Sequence, residues 1–200
     1  IANLLLLSTS EHLTISILCE LLGYGCVTAI EAYFRGLEEP PTPFLEQYAD
    51  FFGLELQWLR HGKGRKFRKH DASLPNPGDC ENYIKTLDLE KIFFVGCKDN
   101  SGDSIIFLKL TPYRYLLLPN KYPVNSQVGR TGQRQLTSFY KLIQGLDKNS
   151  FFRYKLSGLM LNKLTFEQLF AGEIYPGRLD KAMRQENYWW DDFLDIWHKY

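Results

Sequence analysis

The side chains best placed to act on a partner lie between two glycines, Gly23 and Gly36. Thr28 carries a hydroxyl that donates and accepts hydrogen bonds, and Glu31 carries a carboxylate that accepts them. Glu31 can accept from the amino group of cytosine, and Thr28 can bond a base or touch the methyl of thymine. Residues 26–34 hold no Arg, Lys, Asn or Gln, so this segment offers few of the usual groups that read bases.

The spacing around this segment predicts two helices that cross at a steep angle. Cys19, a small residue, lies four positions before Gly23, and the apolar Ile30 lies seven positions after it. A close crossing needs a small side chain at the contact, a flexible residue in the turn and an apolar anchor on the second helix. This pattern indicates a helix-turn-helix, in which the second helix enters the major groove of DNA.

The first helix is predicted to begin at Thr14, whose hydroxyl is a good N-cap, and the second to run from about residue 26 to residue 34. This interpretation assigns DNA contacts in three groups. They are Val27, Thr28, Glu31 and Ala32 at base edges, Thr14 and Tyr24 at phosphates, and Arg35 near the backbone.

Three more helices are predicted in residues 1–62. Residues 1–7 read as the end of a first helix, Thr42 N-caps a later one with Pro43 in its first turn, and a last helix ends at Gly62. This order of about five helices resembles the Cro/C1-type (XRE-like) helix-turn-helix family. The residues that carry the resemblance are Leu18, Cys19, Gly23, Ile30, Tyr33, Gly36, Pro41, Phe44, Leu45, Ala49, Trp58 and Leu59.

The resemblance implies a cytoplasmic, dimeric regulator of transcription that binds double-stranded DNA. It covers residues 1–62 of the 200, and no family is recognised in the remainder. Two features depart from the family pattern. The turn between Gly23 and Ile30 is one residue longer than usual, and Phe34 lies where the family commonly has glutamate.

Charge is distributed unevenly along the chain. Residues 1–62 hold two arginines against eight carboxylates, a net charge of −6, although the whole chain carries +1. Phosphate repels such a module, and phosphate contacts normally supply most of the affinity for DNA. The next residues compensate with five cations that are expected to contact phosphates, and an ordinary solvated linker is an equally open alternative. These cations are Lys63, Arg65, Lys66, Arg68 and Lys69.

Beyond a basic and then Pro-rich linker at residues 63–78, the composition predicts a second domain at residues 79–200. Runs rich in Ile, Phe and Val indicate strands, and the short turns between them predict an antiparallel β-meander. The predicted strands are 92–97, 105–110, 113–118 and 151–156, and the predicted helices are 133–146, 165–171 and 179–186. The expected fold class is therefore α+β, an all-α five-helix module followed by a meander with helices.

The end of the chain places Trp190, Phe193, Leu194 and Trp197 on one face of a predicted helix. This face is a candidate dimer interface or wall of an effector pocket, because Trp is enriched in interface cores. Packing of the helix on the core of its own domain is the favoured alternative.

Other motifs point to no chemistry. The sequence from Asp99 to Asp103 reads as a hairpin turn rather than a calcium loop, since the distant bidentate glutamate is missing. Residues 129–134 read as a loop and helix start, with an anion site as the alternative. The four cysteines form no C-x-x-C pair and read as reduced thiols, and no histidine spacing fits zinc.

We expect no metal, no cofactor and no catalytic activity, since no catalytic motif is present, and an enzyme in residues 79–200 is the weakest alternative. No segment is long and apolar enough to predict a membrane span. The sequence predicts a homodimeric DNA-binding regulator whose second domain dimerises or senses a small molecule or protein. The alternative is a protein-interaction module that reuses an acidic helix-turn-helix without binding DNA.

Overall fold

The computed structural model describes residues 13–71, 74, 76–99, 102–124, 129–182, 189–191 and 194. The chain divides into two compact units, which we call the N-terminal unit (residues 1–68) and the C-terminal unit (residues 69–200). The helix predicted over residues 1–7 lies outside the described residues. Within them, no helix is long and apolar enough to cross a membrane.

The described part of the N-terminal unit is all-helical. Its helices are α1 (Ile15–Leu21), α2 (Val27–Arg35), α3 (Thr42–Phe52) and α4 (Leu56–His61). The core is built on α3, because Phe44, Tyr48 and Phe52 recur at four-residue spacing and are fully buried on one side of that helix. Phe34 of α2 meets Tyr48 edge to face, with ring centroids 6.2 Å apart.

The structure differs from the sequence-based expectation at two places in this unit, the start of α3 and the segment after α4. Pro41, in an extended conformation, is the N-cap of α3, so the helix begins at Thr42 instead of being capped by it. The segment after α4 folds back instead of extending into a linker. Phe67 is buried and bridges Leu54, because an apolar ring within a basic run still gains by joining the core.

The C-terminal unit combines helices with a five-stranded sheet. Its elements are α5 (Pro77–Lys85), β1 (Lys91–Cys97), β2 (Asp103–Lys109), β3 (Tyr115–Leu117), β4 (Tyr122–Pro123), α6 (Arg130–Lys148), α7 (Ser150–Arg153), β5 (Leu156–Leu161), α8 (Lys163–Phe170) and α9 (Pro176–Ala182). The mixed helix and strand composition agrees with the expected α+β class.

The sheet is only partly the predicted meander. β1, β2 and β3 pair antiparallel in the order β3-β2-β1, and β4 pairs with the start of β2. β5, however, joins the other edge of β1 in parallel, with Phe94 opposite Gly158. The expectation of a wholly antiparallel sheet is wrong, because α6 makes the last connection long enough for a parallel crossover.

The strand predicted at residues 151–156 is also wrong. Its first three residues lie in the helical turn α7, which the Asn149 side chain caps by accepting a 3.0 Å hydrogen bond from the Phe151 N–H, and only Leu156 belongs to a strand. The strand follows at Leu156–Leu161, a stretch of Leu, Met, Ser and Gly with no β-branched residue. Composition therefore pointed to the wrong segment.

Helices and aromatic side chains cover both faces of the sheet. One face carries Ile92 and Phe94 against the buried residues of α6, and the Phe94 and Phe139 ring centroids lie 5.8 Å apart. On the other face Phe93 stacks on Phe107 at 4.4 Å. This two-sided burial explains why β1 and β2 are continuous apolar runs without polar alternation.

Candidate nucleic-acid interface

α1 and α2 are joined by a tight turn at residues 22–26. Thr14 caps α1 as predicted, its hydroxyl accepting a 3.3 Å hydrogen bond from the Ile17 N–H. In the turn, Tyr24 donates its N–H to the Cys19 carbonyl at 2.8 Å. Gly23 has a φ of 71°, in the left-handed region where a side chain is strained, so glycine suits the turn.

Buried side chains from both helices hold the pair together, and α1 packs directly on α2. Leu18 and Cys19 are buried on α1, and Ile30 and Phe34 are buried on α2. Cys19 is only 2% exposed, as the sequence predicted for the small residue at the helix contact. The buried anchors therefore fix which side of α2 can meet a partner.

α3 supports the turn from the core side. Tyr24 and Tyr33 both contact the Phe44 ring, with centroid distances of 5.5 Å and 5.2 Å. The side-chain amide of Gln47 donates to the Leu22 carbonyl, which lies just past the end of α1. The turn is thus held by aromatic packing and by a hydrogen bond to its backbone.

The residues assigned to base edges share a side of α2 that excludes its buried residues. Thr28 is exposed and Val27 is 37% exposed, whereas Glu31 and Ala32 are half-buried. Of the remaining assignments, Thr14 and Arg35 are exposed and Tyr24 is half-buried. The structure therefore brings the four assigned base readers together, with Thr28 the most accessible polar group among them.

Residues 13–41, which include α1 and α2, carry four carboxylates and a single cation, Arg35. Carboxylates of α3 and its flank have cationic partners: Glu46 lies 3.9 Å from Arg60, and Asp50 and Glu55 pair with Arg68 and Arg65. In the described part of the chain, four other carboxylates on α1, α2 and the loop after α2 make no ion pair. These are Glu20, Glu31, Glu38 and Glu39.

α1 also exposes aliphatic side chains. Ile17 and Leu21 are each 44% exposed, whereas Leu18 and Leu22 are buried. A helix of seven residues can direct only a narrow stripe inward, and that stripe centres on Leu18, Cys19 and Leu22. The surface of α1 thus combines apolar and acidic groups.

The arginines of the basic segment are engaged within the protein. Arg65 donates to the Glu55 carboxylate at 2.9 Å. Arg68 donates to Asp50 at 2.8 Å and to the Leu54 carbonyl at 2.9 Å. Contact of Arg65 or Arg68 with phosphate would therefore compete with bonds already formed, which lowers the gain from each.

The lysines of this segment have different surroundings. Lys66 lies 5.9 Å from the Trp58 ring centroid, and Lys63 is exposed. Lys69 belongs to the C-terminal unit, where its ammonium lies 3.3 Å from the centroid of the Phe170 ring. Among the five predicted phosphate contacts, Lys63 is thus the one that the structure leaves most accessible.

The predicted dimer or effector surface near the end of the chain includes a residue that is buried in the core. Trp190 is 6% exposed and lies 5.6 Å from the Phe94 ring centroid, so its side chain belongs to the core of the C-terminal unit. Leu194 is partly buried against the same core. Phe193 and Trp197 lie outside the described residues. Trp190 therefore has no surface to offer a dimer partner or an effector.

β1 and β2 pair antiparallel, as the sequence predicted for a hairpin, and residues 100 and 101 between them lie outside the described residues. Asp99 pairs with Lys163 at 3.2 Å, and Asp103 lies 3.6 Å from the Lys121 ammonium. Within the described residues no group of three or more His, Cys, Asp or Glu is placed to hold a metal.

The four cysteines are free thiols, and three of them are buried. Burial raises the pKa of the Cys80 thiol to about 12 and also raises the pKa values of Cys19 and Cys97. Cys26 alone among the four is exposed, immediately before α2. Its thiol can therefore be modified chemically next to the candidate DNA-contacting residues.

The chain matches no protein-family model, and comparison with curated proteins and with solved structures gives no match.

Proposed function

We propose that the protein is a DNA-binding regulator of transcription that uses a Cro/C1-type helix-turn-helix, with α2 as the helix that enters the major groove. The observation that carries this proposal is the α1–turn–α2 arrangement, in which buried Cys19 and Ile30 hold α2 while Thr28 is exposed at its start. In such modules, residues near the N-terminus of the second helix contact base edges.

The C-terminal unit is proposed to dimerise the protein or to sense an effector. Dimerisation would double each contact that a single helix-turn-helix makes, and the acidic surface of α1 and α2 makes this gain important. An effector that binds one functional state better than another would shift DNA affinity. The proposal places the protein in the cytoplasm and assigns no catalytic role to either unit.

The first test replaces the polar groups of α2 in the double variant Thr28→Ala, Glu31→Ala. We expect the thermal midpoint to stay close to that of the wild type, since neither side chain is a core residue. Preference among DNA sequences should change, because each base contact accounts for about 1–3 kcal/mol of discrimination. Selection of binding sites from a random duplex library, followed by fluorescence anisotropy, measures the change.

The matched control is Thr42→Ala, Glu46→Ala, which removes the same two residue types from exposed positions of α3. It should keep the wild-type preference. A folded, DNA-binding Thr28/Glu31 variant that selects the same sequences as the wild type would remove α2 as the reading helix.

A second test uses the exposed thiol before α2. N-ethylmaleimide should label Cys26 rapidly, and Cys19, Cys80 and Cys97 slowly, because burial restricts access and raises their pKa values. The adduct at Cys26 should weaken duplex DNA binding by about tenfold or more, a loss of at least 1.4 kcal/mol. Mass spectrometry and anisotropy report the two effects.

Cys26→Ser is the control, since serine is a good N-cap and does not react with the reagent. It should bind DNA as the wild type does and keep that affinity after treatment. Full affinity in the singly labelled wild-type protein would place the DNA away from the start of α2.

A docking site for another protein is the second candidate function for the same surface. Exposed Ile17 and Leu21 on α1, together with the carboxylates of Glu20 and Glu31, favour it, because a basic partner with an apolar face would match both features. Salt-sensitive binding to duplex DNA supports the regulator. A stable protein complex without DNA affinity at low salt would favour the docking site.

A further inference from the structure

α6 is a long helix whose fully buried residues all lie in its second half. Its buried residues are Phe139, Leu142, Ile143 and Leu146, and none of them precedes Phe139. The first nine residues, 130–138, are exposed or at most half-buried. About two turns of this helix are therefore built without contributing a fully buried side chain to the core.

The outward side of α6 carries a polar stripe. Its members are Arg130, Gln133, Arg134, Thr137 and Lys141, all exposed. Their spacing of three and four residues places them on one face of the helix, opposite the face that is buried. Arg130 and Lys141 are eleven positions apart, or about 17 Å along the axis.

The stretch of sequence that contains most of α6 carries cations and no carboxylates. No carboxylate occurs in residues 104–146, a stretch that contains six cations. Lys109 and Lys121 are neutralised by carboxylates from outside the stretch, Asp180 and Glu167. Within the described part of the chain, Arg130, Arg134 and Lys141 make no ion pair.

We propose that the polar stripe of α6 binds double-stranded DNA, as a phosphate-contacting surface of the C-terminal unit. Three exposed cations that make no ion pair with any described carboxylate complement the backbone of DNA. Arginine, glutamine and threonine are residue types that hydrogen-bond phosphates and base edges, and α2 has neither an arginine nor a glutamine among its assigned base readers.

The composition of the stripe favours DNA over an acidic protein. Stable protein interfaces rest on buried aromatic or aliphatic anchors, and all five stripe residues are polar or charged. The start of the helix adds to the attraction for phosphate. The Gly129 N-cap provides no side-chain hydrogen bond, and the backbone N–H groups in the first turn of a helix attract anions.

This surface rests on the proposed function only in sharing its ligand, and it does not require α2 to touch DNA. It would supply the cations that the acidic surface of α1 and α2 lacks. The two surfaces lie on different elements and can be disabled separately.

The test is the triple variant Arg130→Gln, Arg134→Gln, Lys141→Gln in the full chain. Binding to a fluorescein-labelled duplex of mixed sequence is followed by anisotropy from low to physiological potassium chloride. The plot of log K against log salt has a negative slope, and the magnitude of that slope should decrease by about three. This is near one for each phosphate that the variant no longer neutralises. Affinity should fall for all duplex sequences alike, because phosphate contacts carry no sequence information.

The matched control is Lys98→Gln, Arg153→Gln, Arg178→Gln, which removes three exposed cations from other parts of the same unit. Its slope should stay close to that of the wild type. Should the α6 triple variant fold poorly, Arg134→Gln alone should reduce the magnitude of the slope by about one.

Each outcome bears on the proposal. An α6 variant with the wild-type slope overturns this surface, and the regulator proposal survives if the Thr28/Glu31 variant changes sequence preference. A lower slope with unchanged sequence preference in the Thr28/Glu31 variant supports α6 and removes α2. An equal decrease in the control variant would reduce the effect to net charge and overturn the surface. A wild-type protein with no DNA affinity even at low salt overturns both proposals.

Discussion

Replacing Phe44 with alanine should unfold the N-terminal unit while the C-terminal unit stays folded. Phe44 is fully buried, and its ring contacts Tyr24, Tyr33 and Tyr48. Removing a buried phenylalanine costs about 3–5 kcal/mol, a large share of the stability of a small unit. The change should therefore abolish the turn between α1 and α2, and with it specific DNA binding.

Hydrogen exchange measured by mass spectrometry separates the two units peptide by peptide. Peptides from residues 13–68 should lose protection in the Phe44→Ala variant, and peptides from β1 and β2 should keep it. Phe151→Ala is the matched control, because that ring is 57% exposed and its removal should change stability by less than about 0.5 kcal/mol. An equal loss of protection in both units would show that they unfold together.

Replacing Lys109 with methionine should destabilise the C-terminal unit by about 1–3 kcal/mol, the cost of leaving a largely buried charged group without its partner. The Lys109 ammonium lies 3.0 Å from the Asp180 carboxylate and 3.5 Å from that of Glu90. The Tyr115 hydroxyl donates to the same Asp180 oxygen at 2.9 Å. Methionine keeps the volume of the side chain but leaves Asp180 without its cation.

The effect has a defined pH window. Burial alone would lower the pKa of Lys109, but the hydrogen bond and charge of Asp180, together with Glu90, outweigh it, so the pKa lies above the ordinary value of 10.5. A group whose pKa is raised in the folded state stabilises fully below its unfolded pKa. The difference between wild type and Lys109→Met should thus be constant around neutral pH and shrink as the pH rises through the folded pKa.

Urea unfolding of both proteins at neutral and alkaline pH measures this difference. Lys98→Met, at an exposed position, is the control and should unfold close to the wild type at every pH. A Lys109→Met variant with the wild-type midpoint at neutral pH would show that the pair with Asp180 adds no stability.

Much of the local structure was readable from the sequence because the signals are short-range. Thr14 caps its helix through its own hydroxyl, and α2 ends at Gly36, whose φ of 73° suits glycine. The runs Ile92–Cys97 and Ile105–Leu110 paired as the hairpin their spacing indicated. In each case residues within a few positions of one another determine the conformation.

Long-range contacts account for what the sequence did not show. The leucines of β5 become a strand because they lie beside β1, which no local pattern reveals. Phe67, within a basic run, joins the core through Leu54, thirteen residues away. Trp190 packs on Phe94 rather than on a partner. Each of these contacts joins residues that are far apart in the sequence, so a local pattern does not predict it.

In the candidate site too, the sequence predicted the features that depend on local spacing and missed those that depend on long-range contacts. The sequence identified Thr28 and Glu31 from helix spacing, and the structure places them on one side of α2. It could not show that Arg65 and Arg68 are bonded to Glu55 and Asp50, since ion pairs depend on tertiary contacts. The absence of carboxylates from residues 104–146 is visible in the sequence, but only the course of α6 shows three of its cations on one exposed face.

The parallel pairing of β5 with β1 sets the order in which the sheet can be completed during synthesis. β1, β2 and β3 can pair as soon as residue 117 has left the ribosome, but the other edge of β1 stays open until Leu156–Leu161 follows. That open edge carries Ile92, Phe93, Phe94 and Val95. Apolar edges of this kind pair readily with other chains. The nascent protein is thus most vulnerable to aggregation while α6 is being made.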